Sequence, residues 1–392
     1  MINVFTATTI EIDNVESAVS SIQSSLEEQG EIGTNALGLI TCHYEFVMSG
    51  VVEALRKVLP FPIAGYTSST VATSPVPKGQ PLSEAEGDLC LTLTVLWGEG
   101  IWFETATTEP VAIDKDIASL CRPIFAGREK PALVWTFAPN VGIVSGDLLT
   151  SAVTEQTDGA PVFGGFAVDD SPTFTENCFV ITPDGEFLDR VGFVLLYGDV
   201  HPLFYKASIS EKRIFDRWFM ITEANGNEVI SINDRSSLDF LALIGITKEM
   251  VKSAVLTNIV LAIQEDDLSY FPRQIINLSE HDTLILGGTV ENGTRFRVGG
   301  FDKLDMLESA QQATQNAFEH SHEKAFALAL SCASRFVLLG SESLDEVHMV
   351  REAMAGMPFM MGYAGGEICP SVRKDGSFYN RFQNGAFVLC VI

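Results

Sequence analysis

The strongest constraint on this 392-residue chain is a strand–helix–strand plan that occurs three times. In the first copy the apolar run 36–41 reads as a buried strand. Phe46, Val47, Val51, Leu55, Val58 and Leu59 then recur at helical spacing, Pro62-Ile63-Ala64-Gly65-Tyr66 reads as a turn, and a strand follows at 89–97. In the second copy the strand is 132–137, the helix stripe is Val144, Leu148, Leu149, Ala152 and Val153, and the turn is 161–166. Strands at 178–182 and 191–197 flank Pro183-Asp184-Gly185, a hairpin signal. In the third copy the strand is 326–331, Leu344, Val347, Val350 and Met354 mark the helix, and 358–363 is the turn. Lys374-Asp375-Gly376 opens a hairpin that ends in a strand at 386–392. Proline fixes φ and lacks a donor, which suits entry to a strand after a helix, and glycine permits close approach of another group.

A different region, about 205–320, separates the second and third copies. Runs at 217–223 and 228–232 read as strands around Asn225-Gly226-Asn227, and 236–244 reads as a helix. Apolar runs at 258–263, 274–278, 283–286 and 295–300 read as strands, and 301–320 as a longer helix. The best boundary lies near 201–211, so the expected domains are 1–204 and 205–392. The expected fold is α+β: mixed β-sheets covered by helices, in two pseudo-related halves, with a pocket near strand ends and glycine turns.

Composition narrows the function classes. With 46% hydrophobic residues and a mean hydropathy of +0.20, the chain is globular. A net charge of −26, with no basic run, repels phosphate backbones and anionic lipid, so neither nucleic acid nor membrane is an expected partner. The N-terminus lacks a basic start followed by an apolar core, and the seven cysteines are single and scattered. Both features point to the cytoplasm and to reduced thiols.

Common enzyme signatures are missing, including G-x-S-x-G, the phosphate loop and H-E-x-x-H. Cys42-His43 are adjacent at a strand end and point to opposite faces, so they do not make a nucleophile–base pair. A hydrolase or transferase built on Cys42 or Cys332 is a rival reading, as is a ligand-free interaction scaffold. The expectation is that the chain is not an enzyme. His281, in a polar loop, and His348, on an expected helix, are the candidate axial ligands if a haem is bound. The richest stretch is Tyr363-Ala364-Gly365-Gly366-Glu367, with Arg335 expected nearby in the same unit. Arginine and glutamate at strand ends read a small zwitterion or carboxylate, so Arg335, Tyr363, Gly365 and Glu367 are candidate ligand-binding residues.

At these residues the chain resembles the FIST family, named for F-box and intracellular signal transduction proteins. The resemblance is carried by Gly65-Tyr66-Thr67-Ser68 and Phe163-Gly164-Gly165-Phe166-Ala167 in the N-terminal half. In the C-terminal half it is carried by Ala224-Asn225-Gly226-Asn227, Pro272-Arg273, Glu291-Asn292-Gly293-Thr294 and Gly362–Ile368. The order of these motifs is more specific than any one of them. The resemblance adds Gly65, Tyr66 and Arg273 to the candidate site. It implies a stand-alone sensory protein that binds a small ligand, such as an amino acid, and signals to a separate partner. Some bacterial relatives look like haem-dependent nitric-oxide sensors acting on a histidine kinase, which makes haem the candidate cofactor and a histidine kinase the candidate partner.

Overall fold

The computed structural model describes residues 2–112, 116–252, 258–265, 269–321, 325–354, 356–373, 375 and 377–392. Lys374 and Gly376 of the expected third hairpin turn lie outside them.

The first repeat comprises β1 (Ile2–Thr9), α1 (Val15–Glu27), β2 (Leu37–Cys42), α2 (Glu45–Met48), α3 (Val51–Val58), β3 (Ile63–Thr67), β4 (Val71–Ser74), β5 (Glu86–Gly87) and β6 (Leu91–Gly98). The second comprises β7 (Ile101–Thr107), α4 (Ile117–Phe125), β8 (Leu133–Ala138), α5 (Gly146–Gln156), β9 (Val162–Phe166), β10 (Val180–Thr182), β11 (Gly185–Phe187) and β12 (Gly192–Gly198). The third begins with β13 (Leu203–Ala207). It is then interrupted by β14 (Ile214–Asn225), β15 (Glu228–Ile232), β16 (Arg235–Ser236), α6 (Ser237–Leu243), α7 (Lys248–Lys252), β17 (Ile259–Gln264), β18 (Tyr270–Leu278), β19 (Leu284–Leu286) and β20 (Arg295–Gly300). It resumes with α8 (Lys303–Glu319), β21 (Ala327–Cys332), α9 (Ala333–Leu339), α10 (Ser343–Ala353), β22 (Phe359–Ala364), β23 (Glu367–Val372), β24 (Phe378–Gln383) and β25 (Phe387–Val391).

Each repeat builds one six-stranded sheet of the same order. The three orders are β1-β6-β2-β3-β10-β11, β7-β12-β8-β9-β23-β24 and β13-β25-β21-β22-β4-β5. The central pair is parallel in each, β2 with β3, β8 with β9 and β21 with β22, and the other neighbours are antiparallel. The fold is thus α+β with mixed sheets, as the sequence predicts. The terminal hairpin of each sheet comes from another repeat: the first sheet receives it from the second, the second from the third, and the third from the first. This exchange is cyclic and ties all three together. Polar anchors recur where each hairpin meets a helix. Arg56 of α3 lies 3.2 Å from Glu186 of β11, and Arg351 of α10 lies 2.7 Å from Glu86 of β5. At the third junction the Asn380 amide of β24 donates to Thr154 of α5 at 2.9 Å.

The three sheets share one inner core, with Leu39 and Tyr66 from the first, Trp135 and Phe163 from the second, and Leu330 and Met360 from the third. Helices cover the outer faces. Strands β2, β8 and β21 are buried on both sides, which is why they read as continuous apolar runs.

Two expectations need correction. The Gly-aromatic segments read as turns are the strands β3, β9 and β22. Glycine is needed there for close approach: a Cβ on Gly65 would sit 1.7 Å from the Ile40 carbonyl oxygen, and one on Gly164 would sit 1.8 Å from that of Thr136. The hairpin at Pro183-Asp184 closes on β11, whereas the run at 191–197 is β12, in a different sheet.

The interrupting segment is a barrel. Its strands run β14-β20-β17-β18-β19-β15, and β14 pairs with β15 to close the ring. Phe219, Phe240, Phe271 and Phe296 fill it.

Candidate ligand-binding site

Arg335, from the first turn after β21, is completely buried. Its Nε donates to Glu346 Oε1 at 3.0 Å, and its Nη2 donates to the Met306 carbonyl at 2.9 Å and also to Glu346. The other oxygen of Glu346 accepts from Ser331 Oγ at 2.6 Å and lies 3.0 Å from the Tyr363 hydroxyl, which is also 3.2 Å from the Ser343 carbonyl. Arg335 and Tyr363 are thus brought together around Glu346, which binds α10 to β21 and β22. Glu367 is separate from this network. Its Oε2 accepts from the Ala386 amide at 3.3 Å, and its Oε1 has no hydrogen-bond partner among the described residues. Burial pushes its carboxyl well above the usual range, which favours the neutral acid. The Cys332 thiol beside it is pushed up to about 12, first by burial and then by Glu367. Gly365 donates its amide to the Phe166 carbonyl at 2.8 Å, and Tyr66 stacks on Phe137 with ring centroids 5.6 Å apart. Gly65, Tyr66, Arg335, Tyr363, Gly365 and Glu367 all lie within strand and helix junctions.

Arg273 is placed differently. It lines a cavity of about 380 Å³ whose walls come from the barrel, from the first turn of α5 and from the β23–β24 hairpin. Its guanidinium forms the floor. Nη1 donates to the Phe382 carbonyl at 3.0 Å, Nε to the Thr289 carbonyl at 3.3 Å, and Nη2 to Asp147 Oδ1 at 2.7 Å. The second oxygen of Asp147 accepts from the Thr289 amide at 2.7 Å. Asp147 sits in the first turn of α5, where the helix dipole favours a carboxylate. Burial lowers the Arg273 pKa, and Asp147 opposes that shift.

Above the floor, Glu265 organises the wall. Its Oε2 accepts from Lys206 Nζ at 2.8 Å and Ser269 Oγ at 3.1 Å, and its Oε1 accepts from the Tyr379 hydroxyl. The Arg381 Nε lies 2.9 Å from the same Oε1 without the alignment of a hydrogen bond. Burial alone would raise the Glu265 carboxyl, but Lys206, Tyr379 and Arg381 hold it below its ordinary value. The Arg381 guanidinium lies 4.1 Å from the centre of the Phe271 ring, and that of Arg373 lies 4.8 Å from the centre of Tyr379. Three arginines on one cavity stand out in a chain with 25 basic and 51 acidic residues. Glu291 adds an exposed carboxylate to the rim. The arrangement offers cations to a carboxylate and an acid to an ammonium group.

Of the candidate ligand-binding residues only Arg273 lines this cavity, joined by Glu291 and Thr294 of the Glu291–Thr294 motif. Arg373, Tyr379, Arg381, Glu265 and Asp147 were missed. Tyr379 and Arg381 carry a readable signal, since residues two apart on a strand share a face.

Neither candidate haem histidine lines this cavity. His281 is exposed in the turn between β18 and β19, with its amide donating to Ser279 Oγ at 3.1 Å. His348 Nε2 is held 2.7 Å from Glu86. Among the described residues no group of three or more His, Cys, Asp or Glu side chains could hold a metal ion, and no helix is long and apolar enough to cross a membrane. All seven cysteines are buried, and none is in a disulfide.

The FIST N domain model matches residues 36–235, and the FIST C domain model matches residues 239–370. The chain belongs to the FIST family. FIST domains are sensory domains of signal transduction. No curated protein matches this FIST chain. Among solved structures, cyanuric acid hydrolase from A. caulinodans is similar over 100% of this chain and 99% of that chain, at 9% identity and a TM-score of 0.39. Another structure of cyanuric acid hydrolase is similar over 99% of this chain and 98% of that chain, at 8% identity and a TM-score of 0.34. The expectation that the chain is not an enzyme is corrected by these matches: proteins that align with it from end to end are hydrolases. At so low a similarity the match carries no activity across.

Proposed function

We propose that this FIST chain binds a small zwitterion of the size and charge of an amino acid in the Arg273 cavity and passes the event to a separate signalling protein, such as a histidine kinase. The observation that carries the reading is the convergence of Arg273, Arg373 and Arg381 with Glu291 on one cavity of about 380 Å³. That volume falls in the small-molecule range of roughly 300–1,000 Å³. The ligand carboxylate meets Arg373 and Arg381 by charge-assisted hydrogen bonds, and its ammonium meets Glu291.

The cavity walls belong to the barrel and to the repeats. A ligand that touches both favours one relative arrangement of them, which is the differential binding a population shift requires. Thermal unfolding with L-amino acids and small carboxylates tests the reading. A ligand at a hundred times its Kd stabilises by about 2.7 kcal/mol. Unchanged melting with every zwitterion and carboxylate would rule it out.

A further inference from the structure

A second cavity, of about 230 Å³, opens on the barrel away from the ligand site's residues. Its floor is apolar: Phe219, Ile232 and Phe240 are buried in the barrel core, and Leu243 lies exposed at the edge. Its rim carries Arg217 and Arg235, both exposed. The Arg217 guanidinium lies 5.1 Å from the centre of the Phe219 ring, so it stands over the apolar floor.

The backbone fixes this rim. Asn233 and Asp234 take positive φ values of 50° and 59° in the turn that delivers Arg235. The Asn233 side chain accepts from the Met220 amide at 2.8 Å, and the Met220 carbonyl accepts from the Asn233 amide at 2.9 Å. The turn is thereby pinned to β14, which carries Arg217. Two nearby carboxylates are engaged elsewhere: Asp216 lies 3.1 Å from Arg297, and Asp239 accepts from Ser236 Oγ at 2.8 Å. Neither Arg217 nor Arg235 forms an ion pair among the described residues. Phe215 is 70% exposed beside them, on a β-bulge between Ile214 and Trp218.

We infer that this cavity docks an acidic segment of a protein partner, seating one apolar side chain on the Phe219–Phe240 floor while Arg217 and Arg235 bind the flanking carboxylates. Size favours a single side chain, because the cavity falls below the roughly 300 Å³ at which small-molecule sites begin. Charge favours an acidic partner: two unpaired arginines beside exposed aromatic surface have the composition of an interface hot spot. A two-fold contact with a second copy would bring the arginine rims together, which like-charge repulsion opposes.

The inference rests on the sensory reading only in expecting a protein partner, and its test needs no small ligand. A short fluorescein-labelled peptide of aspartates and glutamates around one phenylalanine is titrated with the full chain, and fluorescence anisotropy is read. Saturable binding is expected, weakened about tenfold or more by Arg217→Glu with Arg235→Glu, by serine in place of the peptide's phenylalanine, and by added salt. Melting temperatures of wild type and variant establish that the variant is folded, and Leu243→Ala supplies a neutral second variant that also weakens binding. No saturable binding, or equal affinity in the charge-reversed chain, overturns the inference. So does preferential binding of a single-stranded oligonucleotide, or self-association of the chain that is lost in the same variants.

Discussion

Replacing Arg335 with methionine tests whether that arginine is structural or ligand-binding. It is completely buried, and the substitution removes its bonds to Glu346 and to the Met306 carbonyl. Glu346 keeps Ser331 at 2.6 Å and Tyr363 at 3.0 Å, but it is left as a buried carboxylate without a cation. Breaking such a pair from one side destabilises by about 3–5 kcal/mol. Removing the acid as well, in Arg335→Met with Glu346→Leu, abolishes the stranded charge. The double variant should therefore be less destabilised than the sum of the singles, by about 0.5–3 kcal/mol. Urea unfolding of the four proteins measures both quantities. A single-variant loss below about 1 kcal/mol, the scale of an exposed pair, combined with lost amino-acid binding would refute the structural assignment.

Two further predictions concern the repeats. Below about pH 4.3 Glu367 is neutral in both folded and unfolded chains, whereas above that only the unfolded chain ionises, because burial raises the folded-state pKa. Stability should therefore fall with rising pH by up to about 1.4 kcal/mol per unit until the folded pKa is reached, and Glu367→Gln should lack that slope; parallel stability–pH curves for the two proteins would contradict this. Gly65→Ala and Gly164→Ala drive a methyl into a neighbouring carbonyl at 1.7 and 1.8 Å, so both should lower the melting temperature or prevent soluble expression. Near-wild-type melting of the Gly65 and Gly164 variants would refute the close strand approach.

Much of the architecture was legible because burial writes itself into residue order. Strands β2, β8 and β21 announce themselves as apolar runs, and the barrel strands as short β-rich runs between turn signals. Helix α1 was overlooked, although Val15, Ala18, Val19, Ile22 and Leu26 recur at helical spacing and pack on the first sheet. The exchange of hairpins was hidden because local sequence does not say which sheet edge a hairpin will join. Membership of one strand–helix–strand unit misled at Arg335, where Glu346 on the adjacent helix won over Glu367. The cavity was the hardest feature to foresee. Its floor joins Asp147 to Arg273 across 126 residues, and only the Tyr379–Arg381 alternation hints at a charged wall.

The most direct measurement is isothermal titration of a panel of L-amino acids into the full chain and into Arg373→Ala. Arg373 forms no ion pair among the described residues, so its removal should leave the fold intact. Saturable binding of at least one zwitterion by the wild type, weakened about tenfold or more in Arg373→Ala at unchanged melting temperature, is the predicted result. Binding that is unaffected by Arg373→Ala, or no binding by the wild type, would contradict the account.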